Sequence, residues 1–343
     1  MDLNRVNSYM DRVRQSEQVT FPAPGGRYKV GVDLGTAYIV VVVLDEQDNP
    51  VACEKQAASV LQDGVVVDFT GAQRIVRELR QKLGARLDCE LLNCSIAMPA
   101  GTESSIRTHQ YVAEGAGFEV TSILDEPTAA NAVYQIKNGV VVDIGGGSTD
   151  IAVISMGGRV KAASVPVAGN AFDRCIAQYV QEKFQIAIGP LTAEALKKQV
   201  ACCTKSEFEG VMEVRGHSWE TNLPARHVIY TRDLYEPVQE LASRIAAAAR
   251  AVLESTPPEL AADVSSSGVL LTGGGSLLRG LASYIAGELH VDVAIAPDPL
   301  NCVARGTAIS LSEGCYLTAG FRDATPKAWH KRLQNNHDPF AGE

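Results

Sequence analysis

The stretch Val140-Val-Val-Asp143-Ile-Gly145-Gly146-Gly147-Ser148-Thr149-Asp150-Ile-Ala-Val153 decides the fold of this chain. An apolar run, a glycine turn and a second apolar run predict two β-strands joined as a hairpin. The glycines lack a Cβ atom, so they can adopt positive φ and bring backbone N–H groups close to an anion such as phosphate. Asp143 and Asp150 flank the turn, and carboxylates beside phosphate require a cation between them, usually Mg²⁺. Taken alone, an ordinary hairpin with a glycine-rich turn explains the stretch equally well.

The same order of residues occurs much earlier in the chain, in Val30-Gly-Val-Asp33-Leu-Gly35-Thr36. This stretch again has an apolar strand, an aspartate, a glycine and a hydroxyl residue, and the apolar run Ile39–Leu44 follows it. Two such hairpins predict two related half-domains that face each other across a nucleotide. The length of 343 residues also favours two domains, because a single core stops growing at about 250–300 residues.

Four motifs, in this order, resemble those of the actin/Hsp70/sugar-kinase superfamily. Asp33-Leu-Gly-Thr36 resembles its first phosphate loop, and Asp143–Asp150 resembles its second. Leu124-Asp-Glu126-Pro127-Thr-Ala-Ala resembles the first connecting segment, and Leu271-Thr-Gly273-Gly274-Gly275-Ser-Leu-Leu resembles the adenosine loop. The resemblance implies an α/β, actin-like ATPase fold, in which two ribonuclease-H-like domains surround a nucleotide cleft. It also implies ATP or ADP as ligand and Mg²⁺ as cofactor.

The two hairpins supply what phosphoryl chemistry needs, which is positioning and charge neutralisation. Backbone amides and hydroxyls of the turns would hold the β- and γ-phosphates: Gly35, Thr36, Gly145, Gly146, Gly147, Ser148 and Thr149. The resemblance implies that Asp33 and Asp143 hold Mg²⁺ through its waters. It assigns catalysis to Glu126, Asp143 and Asp150. Glu126 would orient or deprotonate the attacking water, and Asp150 is a second candidate for that role.

The resemblance also predicts an adenosine side of the cleft. Glu194 and Lys197, on a predicted helix with Thr192 as its N-cap, would contact ribose or adenine, and Gly273–Gly275 would form the other wall. A solvated helix face also explains Glu194 and Lys197. Asp173 is interpreted as a helix cap rather than a catalyst. The chain has no G-x-x-x-x-G-K-[ST] loop, which excludes a P-loop NTPase.

Patterning divides the chain into four parts. These are an amphipathic extension and linker (1–27), a first ATPase domain (28–138), a second ATPase domain (139–315) and a flexible tail (316–343). In the extension, Leu3, Val6, Tyr9, Met10 and Val13 recur at helical spacing. We expect this helix to dock on the body or to fray, and a targeting or partner-binding helix is the alternative.

Composition excludes several classes of protein. A net charge of −9 argues against a nucleic-acid-binding surface. The longest aliphatic run, Ile39–Leu44, is too short to span a membrane, and no secretory signal is visible, so a cytoplasmic location is expected. The eight cysteines and six histidines lack metal-ligand spacing, so no zinc site is expected.

The two halves resemble different branches of the superfamily. The second half is similar to the bacterial cell-shape actins of the MreB type in residues 256–260, 271–281 and 298–306. In the first half only 27 residues (36–62) precede Asp63, too few for the small subdomain that filament-forming actins use in longitudinal contacts. That compact stretch, with Gly71–Arg77, resembles the EutJ family, whose chaperone-like members are encoded with ethanolamine-utilisation enzymes of bacterial microcompartments.

The EutJ resemblance predicts an ATP-binding, chaperone-like protein that assists assembly or reactivation of microcompartment enzymes. Its partner would be a client enzyme or a shell protein, it would associate with a microcompartment, and it could form oligomers. The chaperone branch carries a lysine near the γ-phosphate, and neither Lys55 nor Lys82 is a convincing counterpart, so slow Mg-dependent hydrolysis, or binding with little turnover, is expected. The alternatives are a filament-forming, MreB-like actin and, with less support from polar motifs, a small-molecule kinase.

Overall fold

A computed structural model describes residues 12, 15–22, 27–62, 64–100, 106–205, 208–258, 267–311 and 322–323. The predicted N-terminal amphipathic helix lies almost wholly outside these residues. The predicted tail does as well, except for Arg322–Asp323, which form a short strand.

The first half of the chain forms a sheet around the hairpin that carries Asp33. The strands of this half are β1 (Lys29–Leu34), β2 (Tyr38–Leu44), β3 (Pro50–Ala57), β4 (Leu61–Gln62), β5 (Val65–Val66), β6 (Asn93–Met98) and β7 (Glu119–Asp125). Its helices are α1 (Phe69–Leu87), α2 (Ile106–Gly115) and α3 (Glu126–Tyr134). The main sheet has the order β7-β6-β1-β2-β3, and Arg322–Asp323 pairs antiparallel with the outer side of β7. The strands β1, β2 and β3 are antiparallel neighbours, whereas β1, β6 and β7 run parallel.

The second half repeats this arrangement around the Asp143 hairpin. Its elements are β8 (Gly139–Ile144), β9 (Thr149–Ser155), β10 (Gly158–Val165), α4 (Gly169–Phe184), β11 (Ile186–Ala187), α5 (Pro190–Gln199), β12 (Val211–Ser218), β13 (Pro224–Tyr230), α6 (Thr231–Glu254), β14 (Val269–Thr272), a 3₁₀ helix (Gly274–Leu277), α7 (Leu281–Leu289), β15 (Val293–Ile295) and α8 (Cys302–Ile309). The main sheet has the order β10-β9-β8-β14-β15, again three antiparallel strands followed by two parallel ones. The repeated order confirms the prediction of two related halves.

Each half has its own apolar core, and a third apolar cluster joins them. Leu124 and Tyr134 of the first half pack in this shared cluster with Val141 and Ile154 of the second. Helix α8 contributes Cys302 to the shared cluster and packs Ala304 and Ala308 against β2. The helix therefore lies on the first sheet, although it falls within the range predicted for the second domain.

Between β3 and α1, β4 and β5 pair as a small antiparallel ribbon. The 3₁₀ helix and α7 are separate elements, because Gly280 between them has a φ of 76°.

Two predicted helix caps, Thr192 and Asp173, were wrong. Helix α5 begins at Pro190 and its N-cap is Gly189, so Thr192 lies inside the helix. Asp173 lies inside α4, whose N-cap is Ala168. In the described part of the chain, no helix combines the length and the apolar character that a membrane crossing needs.

Candidate functional site

A cleft of about 870 Å³ separates the two halves, and both predicted phosphate turns line it. The turns approach each other closely, since a Cβ atom on Gly146 would lie 2.9 Å from the Cβ atom of Ala37. The predicted site residues that line the cleft are Asp33, Gly35, Thr36, Glu126, Asp143, Gly145, Gly146, Gly147, Ser148, Glu194, Lys197, Gly273, Gly274 and Gly275. The fold thus brings together segments that are far apart in the sequence.

The glycine turn between β8 and β9 is held by hydrogen bonds rather than by positive φ angles. Gly145, Gly146 and Gly147 do not adopt positive φ, so that part of the prediction was wrong. The Gly145 N–H donates to the Ser148 carbonyl at 2.9 Å, which closes the turn. The amides of Gly169 and Asn170 donate to the carbonyls of Gly145 and Gly146 at 3.0 and 2.8 Å. The start of α4 therefore fixes the shape of the turn.

Three of the carboxylates that line the cleft come from three different elements: Asp33 from the end of β1, Asp143 from β8 and Glu126 from the start of α3. Burial raises the pKa of Asp33 to about 7. Burial also raises the pKa of Asp143 well above its usual value, and the negative charges of Asp150 and Asp33 add to the effect. Asp143 is 3% exposed, and its buried Oδ1 atom has no hydrogen-bond partner among the residues that the structure describes. An acidic cluster of this kind attracts a cation.

The start of α3 positions Glu126. Asp125 is the N-cap of the helix, and its carboxylate accepts hydrogen bonds from the Thr128 backbone N–H at 3.0 Å and from the Thr128 hydroxyl at 2.8 Å. The Arg159 guanidinium of the second half lies 3.5 Å from the same carboxylate. The pKa of Glu126 is raised well above its usual value, first by burial and then by the charges of Asp150, Asp143 and Asp33.

Two predicted site residues do not line the cleft. Thr149 is fully buried and its hydroxyl donates to the Val167 carbonyl at 2.6 Å, so it does not face a phosphate. Asp150 is also fully buried, and its Oδ1 atom accepts the Ala100 backbone N–H at 2.7 Å. Burial raises the pKa of Asp150 to about 6. The Asp150 carboxylate therefore joins the second phosphate hairpin to the segment that follows β6, in the first half.

On the predicted adenosine side, the charged groups are already paired within the second half. The Lys197 ammonium lies 2.8 Å from Asp173 Oδ2 and donates to the Gly169 carbonyl at 3.0 Å. Glu194 forms an ion pair with Lys198 at 2.6 Å on the same helix. The structure thus places Glu194 and Lys197 at the cleft but engages their charges with other side chains.

The third glycine loop reaches the cleft because Gly273 has no side chain. Its φ is 76°, and a Cβ atom there would lie 2.3 Å from Asp143 Oδ1. The Gly273 N–H donates to the Pro299 carbonyl at 3.0 Å, which ties this loop to the segment before α8.

Lys55 also lines the cleft, although no sequence motif predicted it there. It pairs with Val40 on β2, and Val40 pairs with Asp33 on β1. Strand register would have predicted this position of Lys55, since directly opposed residues share a face of the sheet.

The residues present fit Mg²⁺ when a nucleotide supplies the remaining ligands. No group of three or more His, Cys, Asp or Glu side chains forms a metal site by itself in the described ranges. Mg²⁺ normally takes one or two carboxylates together with phosphate oxygens and waters. Asp143, with its unpartnered buried oxygen, and Asp33 provide such a pair.

Comparisons with known proteins agree with this architecture. The family model of the MreB/Mbl proteins matches residues 52–317. The cell shape-determining protein Mbl of Bacillus cereus is 34% identical over 317 residues, covering 82% of this chain and 95% of Mbl. The crystal structure of MreB5 of Spiroplasma citri bound to AMPPNP has a TM-score of 0.74 and 28% identity, covering 92% of this chain and 100% of that one. The ethanolamine utilization protein EutJ of Carboxydothermus hydrogenoformans has a TM-score of 0.70 and 30% identity, covering 89% of this chain and 98% of EutJ.

Proposed function

This chain belongs to the MreB/Mbl family, and on that premise we propose that it binds Mg-ATP and Mg-ADP in its cleft and hydrolyses ATP slowly. The observation that carries the proposal is the meeting of Asp33, Glu126 and Asp143 between two phosphate turns, with Asp143 Oδ1 buried and unpartnered. The MreB5 structure bound to AMPPNP supports a nucleotide as the ligand.

The residues around the cleft have three roles in this proposal. Asp33 and Asp143 hold Mg²⁺, and the bound cation neutralises charge on the phosphates. Gly35, Thr36, Gly146 and Ser148 contact the phosphates through their backbone amides and hydroxyls. Glu126 orients the attacking water or accepts its proton, and a raised pKa suits that task because it brings the base close to the working pH.

Replacing Asp143 tests the proposed binding site. In the Asp143→Asn variant the shape is kept but one charge is lost, so Mg-ATP should raise the melting temperature of the wild type and leave that of the variant nearly unchanged. The Glu46→Gln variant is the control, because Glu46 is an exposed residue paired with Arg27 away from the cleft. An equal melting shift in the wild type and in Asp143→Asn would overturn the metal assignment.

We propose further that nucleotide state controls self-assembly of this chain. Family membership favours this function over the chaperone function that the sequence first suggested. The MreB5 and Mbl similarities extend over most of the chain, so they include the second half as well as the cleft.

A chaperone-like function of the EutJ kind, with a client enzyme or shell protein of a microcompartment, is the second candidate. The specific observation in its favour is the compact first half, in which α1 follows the β4–β5 ribbon directly. The Mbl alignment runs over 317 residues but covers only 82% of this chain, so some aligned positions of Mbl have no counterpart here. A small-molecule kinase receives no support from the comparisons reported above.

A further inference from the structure

Residues 15–22, here called the N-terminal strap, lie against the first half of the molecule. Arg86 of α1 holds the strap by donating to the Ser16 carbonyl at 2.9 Å and to the Thr20 hydroxyl at 3.0 Å. The Phe21 N–H donates to the Val51 carbonyl of β3 at 2.9 Å. The strap is therefore anchored along β3, the edge strand of the first sheet.

From this strap, Glu17 reaches two residues that line the cleft. Its Oε1 atom lies 2.8 Å from the Lys55 ammonium and accepts a hydrogen bond from the Asn301 side-chain amide at 3.2 Å. Lys55 and Asn301 both line the cleft. Asn301 is 1% exposed, and within the described part of the chain its Oδ1 atom has no hydrogen-bond partner, so a buried polar atom lies beside this contact.

Strand register places Lys55 on the same side of the sheet as the proposed metal ligand Asp33. Asp33 pairs with Val40, and Val40 pairs with Lys55, so all three side chains project from one face. Adjacent strands are about 4.8 Å apart, so the Cα atoms of Asp33 and Lys55 are separated by about 10 Å. The residue between them, Val40, is apolar. A lysine side chain can extend over much of this distance, so Lys55 can reach a phosphate that a cation holds near Asp33.

Of the described residues, three lysines line the cleft, and they differ in which group neutralises their charge. Lys197 pairs with Asp173 and Lys198 pairs with Glu194, so both are matched by carboxylates of the second half itself. Lys55 is matched by the strap. The Lys55 and Glu17 side chains are 35% and 27% exposed, and ion pairs with this exposure contribute little to stability. A polyphosphate offers Lys55 several charged acceptors and would compete well with one carboxylate.

We propose that Lys55 is a phosphate-binding residue of the cleft and that Glu17 competes with the nucleotide for it. Binding of a nucleoside triphosphate then releases the strap from the cleft edge. This inference rests on the proposed nucleotide function and adds a regulatory contact to it, because the position of the strap would then depend on nucleotide state. Asn301, freed from Glu17, keeps its contact with Asp298 at 3.2 Å.

Nucleotide affinity in four variants tests the competition. Lys55→Ala should weaken Mg-ATP binding by about tenfold or more, the usual size of a lost charged hydrogen bond, and Lys55→Arg should restore most of it. Glu17→Gln keeps an oxygen that can accept from Asn301 but loses the charge, so it should strengthen Mg-ATP binding by about threefold. The double variant Glu17→Gln/Lys55→Ala should bind like Lys55→Ala, because Glu17 acts only through Lys55. Glu46→Gln is the control and should bind like the wild type.

Hydrogen exchange measures release of the strap, which nucleotide affinity alone does not report. Mg-ATP should speed exchange of strap amides, including the Phe21 N–H, in the wild type but not in Lys55→Ala. Equal Mg-ATP affinity of Glu17→Gln and wild type, together with exchange rates of the strap amides that do not change with Mg-ATP, would overturn the proposed competition. A wild-type protein that binds no nucleotide would instead overturn the proposed function, and this inference with it.

Discussion

Asp33, Glu126 and Asp143 place three acidic groups around one space, and burial raises the pKa of each. Their mutual repulsion favours protonation when no cation is present. A divalent cation reverses this preference, because its charge stabilises the ionised forms. Proton binding and metal binding should therefore oppose each other at the cleft.

The stability of the ligand-free protein should accordingly fall as the pH rises towards neutrality. The folded pKa of Asp33, about 7, lies above the usual value of 3.8, so its contribution is complete below pH 3.8 and is lost as the pH rises to about 7. Melting temperatures between pH 5 and pH 8 should show a decline of several degrees without Mg-ATP and a smaller one with it. Asp33→Asn should flatten the ligand-free decline, and an unchanged slope in that variant would contradict the shifted pKa.

Glu126 should affect turnover rather than binding. The Glu126→Gln variant keeps the size of the side chain but cannot accept a proton, so phosphate release should fall by about 100-fold or more while Mg-ATP still stabilises the protein. Phosphate release under saturating Mg-ATP, with the melting shift measured in parallel, tests this prediction. Glu114→Gln, an exposed carboxylate on α2, should have wild-type turnover. Equal turnover in Glu126→Gln would remove Glu126 from the mechanism.

At the residue scale, the sequence predicted which residues meet at the cleft better than it predicted their contacts. The motifs identified Asp33, Glu126 and Asp143 correctly as cleft residues. They misplaced the Thr149 hydroxyl, which bonds to Val167, and they missed Lys55. Side-chain direction depends on strand register and on neighbours distant in the chain, and neither is visible in a local motif.

At the scale of elements, α8 links the two halves because it belongs to the second half of the chain but packs closely between the first sheet and α3. A Cβ atom on Gly31 of β1 would lie 1.9 Å from the Ala304 carbonyl oxygen of α8. On its other side, a Cβ atom on Gly306 of α8 would lie 1.6 Å from the Ala129 carbonyl oxygen of α3. Helix α3 begins with Glu126, so this packing also supports the cleft.

The Gly306→Ala variant should therefore be destabilised. Its methyl group would overlap a backbone oxygen, and overpacking of this kind costs about 1–3 kcal/mol. Gly287→Ala in α7 is a matched control, because outside its own stretch of helix no atom of the described residues lies within 4 Å of its added Cβ, and alanine favours the helix by about 0.5–1 kcal/mol. Chemical denaturation measures both changes. A Gly306→Ala protein as stable as the wild type would contradict the close packing of α8.

Local sequence patterns predicted some of the elements. The apolar runs on either side of each glycine-containing turn predicted both hairpins. The break between the 3₁₀ helix and α7 depends on the positive φ that Gly280 adopts in the fold, and no local pattern indicates it. The position of α8 on the first sheet could not be predicted, since it depends on contacts with residues more than 150 positions away.

At the scale of the whole molecule, nucleotide binding should act on both halves at once. The cleft takes its walls from both, and the shared apolar cluster and the Ala100–Asp150 hydrogen bond already connect them. A ligand held by Asp33 on one side and Asp143 on the other would therefore stabilise one relative arrangement of the halves. This is the physical basis on which nucleotide state could control assembly.

Mg-ATP should accordingly convert this chain from small species into sedimenting filaments above a threshold concentration. Family membership favours that outcome, while the compact first half, in which α1 follows the β4–β5 ribbon directly, favours a client-binding protein. Sedimentation and electron microscopy at increasing protein concentration, with Mg-ATP, Mg-ADP or no nucleotide, separate the two. Asp143→Asn should stay in the supernatant, since it lacks the charge that is proposed to bind Mg-ATP. If the wild type binds Mg-ATP but never sediments, the proposed self-assembly is wrong. Stimulation of its ATP turnover by an ethanolamine-utilisation enzyme then becomes the decisive measurement for the chaperone function.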